Sequence, residues 1–339
     1  MKTLQGAFVV LILSICSVHA QTIGTYAGEF MAIGVGGRAL GLGGAHVALA
    51  SDVTAGYWNP AALARLHYPE FMLMHDERFG NLINYDYAAA AFPVGNDASF
   101  GLSVLRLGVD GIPDTRNALI DNNGNGVFDE VDRLDRDRIT FYNVADWAMY
   151  LSYAKRESEL LMIGASVKLI RRNYGEHSAT GIGFDVGVLY SPFSDLSLGA
   201  SVQDITTTFL AWNTGRNELI SPTLKIGAAY GVNLLDGRLM PALDFDLRFE
   251  NRRYASTASF GPVSVDPRAG LEFDYKNTLA LRVGYSDVKQ MTIGAGIHLR
   301  KIDIDYSFAR FTGDGGLGNT HRVSLRFVLQ EERFARTPQ

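Results

Sequence analysis

The residues best suited to chemistry in this chain lie between positions 121 and 132, which read DNNGNGVFDEVD. Their spacing matches the calcium loop of an EF-hand, in which oxygen ligands at alternate positions wrap a hard cation. Gly126 permits the sharp turn, and Asp132 stands where a sensor loop has Glu, so its shorter side chain predicts weaker binding. The predicted metal ligands are Asp121, Asn123, Asn125, Val127 through its carbonyl, Asp129 and Asp132.

No amphipathic helix pair flanks this loop, so the pattern does not predict a conformational sensor. The loop falls within residues 109–142, the longest predicted connection of the chain. Extracellular calcium modules bind with dissociation constants of roughly 10⁻⁴–10⁻³ M, so even a weak loop would be filled outside a cell. The spacing therefore predicts a structural Ca²⁺ that rigidifies the loop, and a polar Asn/Gly turn without metal is the alternative.

No other group of residues has catalytic spacing. The histidines are scattered without an H-x-x-x-H pair, and nothing resembles a nucleophile elbow. Gly34, Gly36 and Ala39 have the G-x-G-x-x-A spacing of a dinucleotide fingerprint, but no strand–helix–strand unit surrounds them. We therefore predict a protein that is not an enzyme and has no organic cofactor.

The first twenty residues, MKTLQGAFVVLILSICSVHA, predict a secretory signal peptide that is cleaved after Ala20. A lipoprotein signal ending at Cys16 is the alternative, but Ile15 stands where a small residue is expected. Cys16 is the only cysteine, so a mature chain would form no disulfide. Loss of Lys2 takes the formal net charge from −5 to −6, which argues against nucleic acid as a partner.

From Pro69 onward, apolar and polar residues alternate with the period of a β-strand. In the stretch NVADWAMYLSY, for example, Trp147 and Met149 share one face while Asp146 and Tyr150 share the other. About fourteen such segments follow one another, most of them 8 to 12 residues long. That length is close to the roughly 9–11 residues that a tilted strand needs to cross hydrocarbon, and single-chain bacterial barrels have an even number of strands.

The polar faces of these segments distinguish a membrane barrel from a soluble β-sandwich. They combine frequent Gly with Asp, Glu and Arg, which suits a crowded barrel interior where opposed charges pair. The apolar faces are predicted to carry no charge, with Tyr153, Tyr190, Tyr230 and Tyr285 near their ends as interfacial girdles. Short and long connections alternate, as periplasmic turns and external loops do. Asp244, Asp246, Asp303 and Asp305 are predicted to pair across the lumen with Arg248, Arg282, Arg322 or Arg326.

The predicted fold is all-β, a transmembrane antiparallel β-barrel of about 14 strands over residues 69–330. Residues 1–20 form the signal peptide, 21–68 an N-terminal hatch or plug, and 331–339 a C-terminal tail. The predicted location is a cell outer membrane of Gram-negative type, with outer-membrane lipid around the barrel.

The segment GVGGRALGLGGAHVALASDVTAGYWNPAALA resembles the N-terminal signature of the PorV/PorQ outer-membrane proteins, a lineage similar to the FadL hydrophobic-compound channels. The matching stretches are GGRALGLGGA and VALASDVTAGYWNPAAL, with Trp58, Asn59, Pro60 and Ala61 at the centre. The resemblance implies a barrel whose N-terminal segment enters the lumen as a hatch near the periplasmic mouth.

The resemblance implies one of two functions. In the PorV/PorQ branch it implies a non-enzymatic component of type IX protein secretion, with the translocon barrel and secreted cargo proteins as partners. In the FadL branch it implies passive transport of a hydrophobic small molecule through a partly plugged lumen. Because both branches share the Asn-Pro-Ala core, these residues do not separate them. We take the secretion role as the expectation and hydrophobic transport as its alternative.

Overall fold

The computed structural model describes residues 27–80, 82–250, 256–286, 290–311 and 319–336. The predicted signal peptide and its cleavage site after Ala20 lie outside the described residues. No helix within the described ranges has both the length and the apolar character needed to cross a bilayer.

Fourteen antiparallel strands form one closed sheet, which confirms the predicted fold class. Each strand pairs with the next along the chain, and the last strand pairs with the first from Glu70–Val328 to Glu77–His321, which closes the ring. The strands are β1 (Glu70–Arg78), β2 (Ile83–Val94), β3 (Ala98–Asp114), β4 (Thr140–Arg156), β5 (Leu161–Tyr174), β6 (His177–Phe193), β7 (Leu196–Gln203), β8 (Thr223–Tyr230), β9 (Gly237–Arg248), β10 (Val263–Tyr275), β11 (Leu279–Ser286), β12 (Gln290–His298), β13 (Ile302–Phe311) and β14 (Asn319–Val328).

Shorter strands extend this wall or lie outside it. Thr208–Trp212 pairs with β6 and with Asn217–Ile220. Val232–Leu234 pairs with the start of β9, and Ala258–Phe260 pairs with the start of β10. Leu119–Ile120 and Arg133–Leu134 form a small hairpin inside the loop that joins β3 to β4.

The two rims of the barrel differ in their connections. One rim, here the short-turn rim, carries the turns 95–97, 157–160, 194–195, 231–236, 276–278 and 299–301. The other, the long-loop rim, carries 115–139, 204–222 and 249–262. The predicted loops 109–142 and 173–180 are shorter in the structure, because β3 and β4 extend the wall and β5 meets β6 in a turn at 175–176. In outer-membrane barrels the short turns face the periplasm.

The outer face of the wall is mostly apolar, because outward side chains alternate with inward ones along every strand. Tyr153, Tyr190, Tyr230 and Tyr285 lie on this face, as predicted. The prediction that this face is free of charge is wrong. Outward charged side chains occur on β1–β3, where neighbouring strands bring opposite charges together: His75, Asp86 and Arg106.

Residues 27–66, here called the plug, lie inside the barrel. The helix Gly37–Gly41 packs against β11–β14, whereas the 3₁₀ helix Pro60–Arg65 packs against β3–β6 on the opposite side. A single segment can contact both walls only from within the lumen. The plug also includes a 3₁₀ turn at Glu29–Met31 and the helical turn Ala55–Trp58.

The tail after β14 folds back under the plug at the short-turn rim. It forms a 3₁₀ turn at Glu332–Phe334. The Arg336 guanidinium then donates through Nη1 to the carbonyl of Ala64, at 2.5 Å, and through Nη2 to Ser99 Oγ at 2.7 Å. The tail therefore links the last turn of the plug to the wall.

Candidate functional site in the plugged lumen

The predicted motif at residues 58–61 lies at the centre of the plug, against the inner wall. Asn59 Nδ2 donates to the carbonyl of Val47 in the plug at 3.1 Å and to that of Val188 in β6 at 3.0 Å. Asn59 Oδ1 accepts from the backbone N–H of Ala61 and so caps the 3₁₀ helix that Pro60 begins. The amide therefore joins three parts of the molecule: the plug turn at Val47, the 3₁₀ helix of the plug and the wall.

Two aromatic residues next to Asn59 hold the first turns of the plug. Trp58 Nε1 donates to the carbonyl of Val35 at 3.0 Å. Tyr57 OH accepts from the backbone N–H of Gly34 at 3.1 Å and donates to the carbonyl of Met31. Both rings are almost fully buried, so residues 31–35 are fixed to the motif from inside the lumen.

Glycines in the wall receive the plug at close range. A Cβ at Gly187 would lie 2.1 Å from Asn59 Oδ1, and a Cβ at Gly284 would lie 2.2 Å from the carbonyl carbon of Leu42. The plug backbone therefore touches the wall where no side chain is present. The frequent glycines on the polar faces make room for this segment as well as for paired side chains.

The lumen wall on β8–β14 is charged, and its charges are paired. Arg282 donates through Nε to Glu272 Oε2 at 2.5 Å and through Nη1 to Asp305 Oδ1 at 2.6 Å. Glu272 also accepts from the plug residue Arg38 at 2.7 Å. Nearby, Lys225 Nζ lies 2.6 Å from Asp246 Oδ2. This side of the lumen is a buried ionic network in which the plug takes part.

Two of the predicted lumen pairs form, Asp305 with Arg282 and Asp303 with Arg326. Arg322 instead contacts Asp76 of β1 at 3.1 Å. Asp244 uses one carboxylate oxygen to accept the backbone N–H groups of the plug residues 46 and 47, at 2.6 and 2.8 Å. The carboxylate of Asp244 therefore binds the plug backbone.

The opposite side of the lumen carries a buried apolar and aromatic surface, which the sequence reasoning missed. The inward side chains of β1, β2 and β4 include Met72, Met74, Tyr85, Tyr87 and Tyr150, all buried. They form one hydrophobic cluster with residues of the plug: Phe30, Met31, Val35, Tyr57 and Trp58. The alternation in NYDYAAAA could have predicted this surface, because both tyrosines lie on the same face as two of the alanines.

The wall is interrupted beside this apolar side. Val186 of β6 pairs with Val202, but the next paired residue along β6, Ile182, faces Phe209. Four residues along β6 therefore correspond to seven residues from Val202 to Phe209, and the three extra residues are taken up in a bulge within 204–207. Within it, Asp204 and Thr207 have φ angles of 56° and 61°. Left-handed backbone at a β-branched residue such as Thr is strained.

A buried lysine holds this wall break. Lys168 Nζ lies 2.8 Å from Asp185 Oδ1 and 2.9 Å from Asp204 Oδ1. The backbone N–H of Asp204 donates to Asp185 Oδ1 at 2.8 Å, and the Thr208 hydroxyl donates to Asp204. Since the only cation of this triad stands between two carboxylates, the shape of the bulge depends on Lys168.

The plug separates two cavities. One, of about 40 Å³, lies at the wall break and is lined by Gly28, Met31, Tyr150, Lys168 and Ile220, among others. It has room for water only. The other, of about 550 Å³, opens at the short-turn rim beside Leu49, Arg65, Phe193, Tyr230 and Met240. A larger molecule would therefore have to displace the first turns of the plug.

The predicted calcium loop lies outside the barrel, in the exposed connection 115–139. Asp121 accepts the backbone N–H groups of Gly124 and Gly126 at 2.6 and 2.7 Å. Asn123 and Asn125 donate through Nδ2 to Asp129 Oδ2 at 2.6 and 2.9 Å. The described residues include no cluster of three or more His, Cys, Asp or Glu side chains with metal-binding geometry. A cation at this loop would therefore need amide and carbonyl oxygens, including the Val127 carbonyl, in addition to carboxylates such as that of Asp132.

No protein-family model and no curated protein sequence matches the chain. Solved structures do match over most of it. The toluene transporter TodX of P. putida superposes with a TM-score of 0.60 at 12% identity, covering 88% of this chain and 99% of that one. The toluene transporter TbuX of Ralstonia pickettii gives 0.57 at 14% identity, covering 87% and 98%. A FadL homologue of Pseudomonas aeruginosa gives 0.54 at 12% identity, covering 86% and 98%.

The chain has the FadL-family fold. At these identities the likeness concerns the fold alone. Two of these three proteins are described as toluene transporters, and a further match is described as a monoaromatic hydrocarbon channel. The structural likeness to toluene transporters and a FadL homologue supports the FadL side of the expected lineage.

Proposed function

We propose that this protein is a passive outer-membrane transporter of small hydrophobic molecules, with the plug as its movable gate. The observation that carries the proposal is the buried aromatic surface of Tyr85, Tyr87 and Tyr150, which reaches the cavity at the wall break. Apolar molecules partition onto such a surface without the desolvation cost that a charged lining would impose.

The distribution of charge in the lumen supports the same function. A lumen filled throughout by charged pairs would oppose the passage of an apolar molecule. The ionic network that holds the helix Gly37–Gly41 lies on the β8–β14 side. On the other side three separate buried pairs flank the aromatic surface: Asp76 with Arg322, Asp146 with Arg172, and Lys168 with Asp185. The opposite side offers packing contacts to the first turns of the plug. We propose that residues 27–35, which border the wall break, are the part of the plug that moves, with release of their hydrogen bonds to Tyr57, Trp58 and Arg172.

A reversible lock on the plug tests this function. Because Cβ at Gly28 would lie 2.8 Å from Ile220 Cγ2, Gly28→Cys with Ile220→Cys places two thiols within disulfide reach. Uptake of radiolabelled toluene is measured in cells that carry the parent protein, the double variant or either single variant. We expect the oxidised double variant to fall to the rate of cells without the protein, and reduction to restore the rate.

The outcomes separate the two parts of the proposal. No uptake above background by the parent protein would reject hydrophobic transport. Equal uptake by oxidised and reduced double variant would retain transport but reject movement of the plug. The single-cysteine variants, which have no partner thiol, control for the substitutions themselves.

The motif around Trp58–Ala61 supports a second candidate function, a PorV/PorQ-like component of type IX secretion that binds cargo or docks to the translocon. The comparisons with solved structures support transport better than secretion. An affinity purification from gently solubilised outer membranes distinguishes the two. Recovery of a translocon barrel, or of exported proteins that share a C-terminal sorting domain, would support secretion, and unchanged export after deletion of the protein would reject it.

We also propose that the loop at 121–132 binds a structural Ca²⁺. The spacing of Asp121, Asn123, Asn125, Asp129 and Asp132 supports it. Limited proteolysis of residues 109–142 is expected to speed up several-fold in EDTA and to slow again with millimolar Ca²⁺. The protease should cleave the double variant Asp121→Ala with Asp129→Ala fast in both conditions. Equal rates with and without EDTA in the parent protein would reject the metal.

A further inference from the structure

The apolar belt on the outer face is much taller on one side of the barrel than on the other. On β10 every outward side chain is apolar or aromatic: Val263, Val265, Pro267, Ala269, Leu271, Phe273 and Tyr275. On β1 only Phe71 and Leu73 precede the polar residues His75 and Glu77.

The depth of the polar residues follows from strand geometry. Two aromatic pairs mark the lower edge of the belt, Phe71 with Phe92 at 5.5 Å and Phe100 with Tyr153 at 5.0 Å between ring centres. A strand tilted by about 40° climbs roughly 2.5 Å per residue. His75 therefore lies about 10 Å above Phe71, whereas the apolar belt of such barrels is about 25 Å tall. At this depth the barrel is surrounded by lipid chains.

The side chains at this depth form a connected group, here called the polar cluster: His75, Glu77, Asp86, Arg106 and Asp110. His75 Nδ1 lies 2.7 Å from Asp86 Oδ1, and Arg106 contacts Asp86 at 3.5 Å and Asp110 at 3.1 Å. The side chains of His75 and Asp86 are 51% and 41% exposed. Three carboxylates share the single permanent cation, Arg106, so the polar cluster presents an excess of negative charge to its surroundings.

A groove of about 520 Å³ lies directly below the polar cluster. Its floor is low because Ala88 and Ala90 stand outward on β2 between larger neighbours. The apolar outward residues that line it are Leu73, Ala88, Val104, Trp147, Val323 and Leu325, and His75, Asp86 and Arg106 of the polar cluster form its upper edge. Lipid chains could fill the groove, but they offer no donor to the carboxylates above it.

We infer that the outer face of β14, β1, β2 and β3 is a docking surface for another transmembrane protein. The partner fits if it places an apolar side chain in the groove beside Ala88 and a lysine or arginine against Asp86 and Glu77. A second copy of this chain would bring two acidic clusters together, so charge complementarity favours a different protein with a basic docking face.

Photo-crosslinking in the membrane tests this surface. A benzophenone amino acid replaces Leu73 in the groove or, as a matched control, Leu281 on the opposite face. These leucines are 59% and 65% exposed. We expect a discrete protein adduct from position 73 only, at least ten times stronger than from 281, in which the cross-linked peptide of the partner carries Lys or Arg. Lipid adducts alone at both positions would overturn the inference.

Two variants of the position-73 probe protein separate the contributions of shape and charge. Ala88→Phe fills the groove without changing charge, and Asp86→Lys reverses the charge. Each is expected to reduce the adduct at least tenfold while the heat-modifiable mobility of the folded barrel stays unchanged. An adduct that persists in both folded variants, or one with the mass of two copies of this chain, would also overturn the inference.

Discussion

At the scale of single residues, the motif that suggested a family is used for internal packing. Asn59 is fully buried, and its amide serves two carbonyls and one backbone N–H. A side chain with two donors and an acceptor is needed at this place. A hydroxyl has only one donor and a carboxylate has none, so neither can satisfy all three partners. The motif therefore indicates how the plug packs in the barrel, and the same packing is compatible with different functions.

Removal of this amide should destabilise the protein measurably. Asn59→Ala removes the side-chain donor to the carbonyls of Val47 and Val188 in a buried site, which costs about 2–3 kcal/mol of unfolding free energy. Urea unfolding in lipid vesicles measures the change. Asn217→Ala, at an exposed position, is the matched control and should stay within about 0.5 kcal/mol of the parent. Equal effects of the two substitutions would contradict the proposed role of Asn59.

His46 is a titratable residue of the plug that is shielded from water. Its side chain is fully buried, and neither ring nitrogen has a hydrogen-bond partner among the described residues. The ring packs edge-on against Trp58 at 5.9 Å. Burial, assisted by the nearby cation of Arg38, lowers the pKa of His46 from 6.5 to about 4.

The pH dependence of stability follows from this shift. Below pH 6.5 the unfolded chain takes up a proton at His46 that the folded protein takes up only near pH 4. This contribution is constant above about pH 6.5 and falls by at most about 1.4 kcal/mol per pH unit below it. His46→Leu should remove that part of the slope in urea midpoints recorded between pH 7.5 and 5. Parallel curves for parent and variant would show that His46 does not titrate this way.

At the scale of elements, the strands could be predicted because each buries one face and exposes the other to lipid, which imposes a period of two. The ends of β3, β4, β5 and β6 could not, because these strands continue above the membrane where the outward side chains become polar. The bulge at 204–207 was also missed. Its left-handed residues are Asp and Thr, and without glycine no local signal marks the turn.

The glycines of the wall show the same limit. Their frequency on the inward faces was visible in the sequence, but their partner, the plug backbone, lies far away along the chain. Gly284 faces Leu42, more than two hundred residues earlier. A pattern of period two identifies the face on which a residue stands and carries no information about what packs against it.

A methyl group at such a glycine should unseat the plug. In Gly284→Ala the new Cβ would lie 2.2–2.3 Å from backbone atoms of Leu42 and Gly43, which have no freedom to retreat. Protease cleavage within residues 27–66 is expected to rise at least tenfold while the barrel stays resistant. In the control Gly101→Ala, the methyl meets only the flexible tip of Leu63 at 2.9 Å and protection should be kept. Full protection in Gly284→Ala would mean that the contact is not limiting.

At the scale of the whole molecule, the fold could be predicted and the function could not. Alternation, strand length and strand number all follow from the bilayer. The choice between transport and secretion depends on which side of the lumen is apolar and on what meets the outer face. Both are tertiary properties of β1–β4, where Tyr85, Tyr87 and Tyr150 point inward and the polar cluster points outward.

The orientation of the barrel gives a prediction for the entire molecule. Long loops face outward in outer-membrane barrels, so connection 115–139 should be outside the cell and turn 276–278 in the periplasm. In single-cysteine variants, Glu130→Cys should react with an impermeant maleimide on intact cells, whereas Thr278→Cys should react only after permeabilisation. The parent protein is the unlabelled control. The reverse labelling pattern would show that the barrel has the opposite orientation in the membrane.

The seam between β1 and β14 fixes an order of events during folding. It joins the first strand to the last, so the ring cannot be complete before the whole barrel sequence has entered the membrane. The plug precedes β1 in the chain yet is enclosed by the finished ring, with both of its walls in contact. A plug that takes its place while the seam is still open avoids threading through the rim of a closed ring. Arg336, beyond β14, can reach Ala64 only after that, which makes its contact a mark of completed assembly.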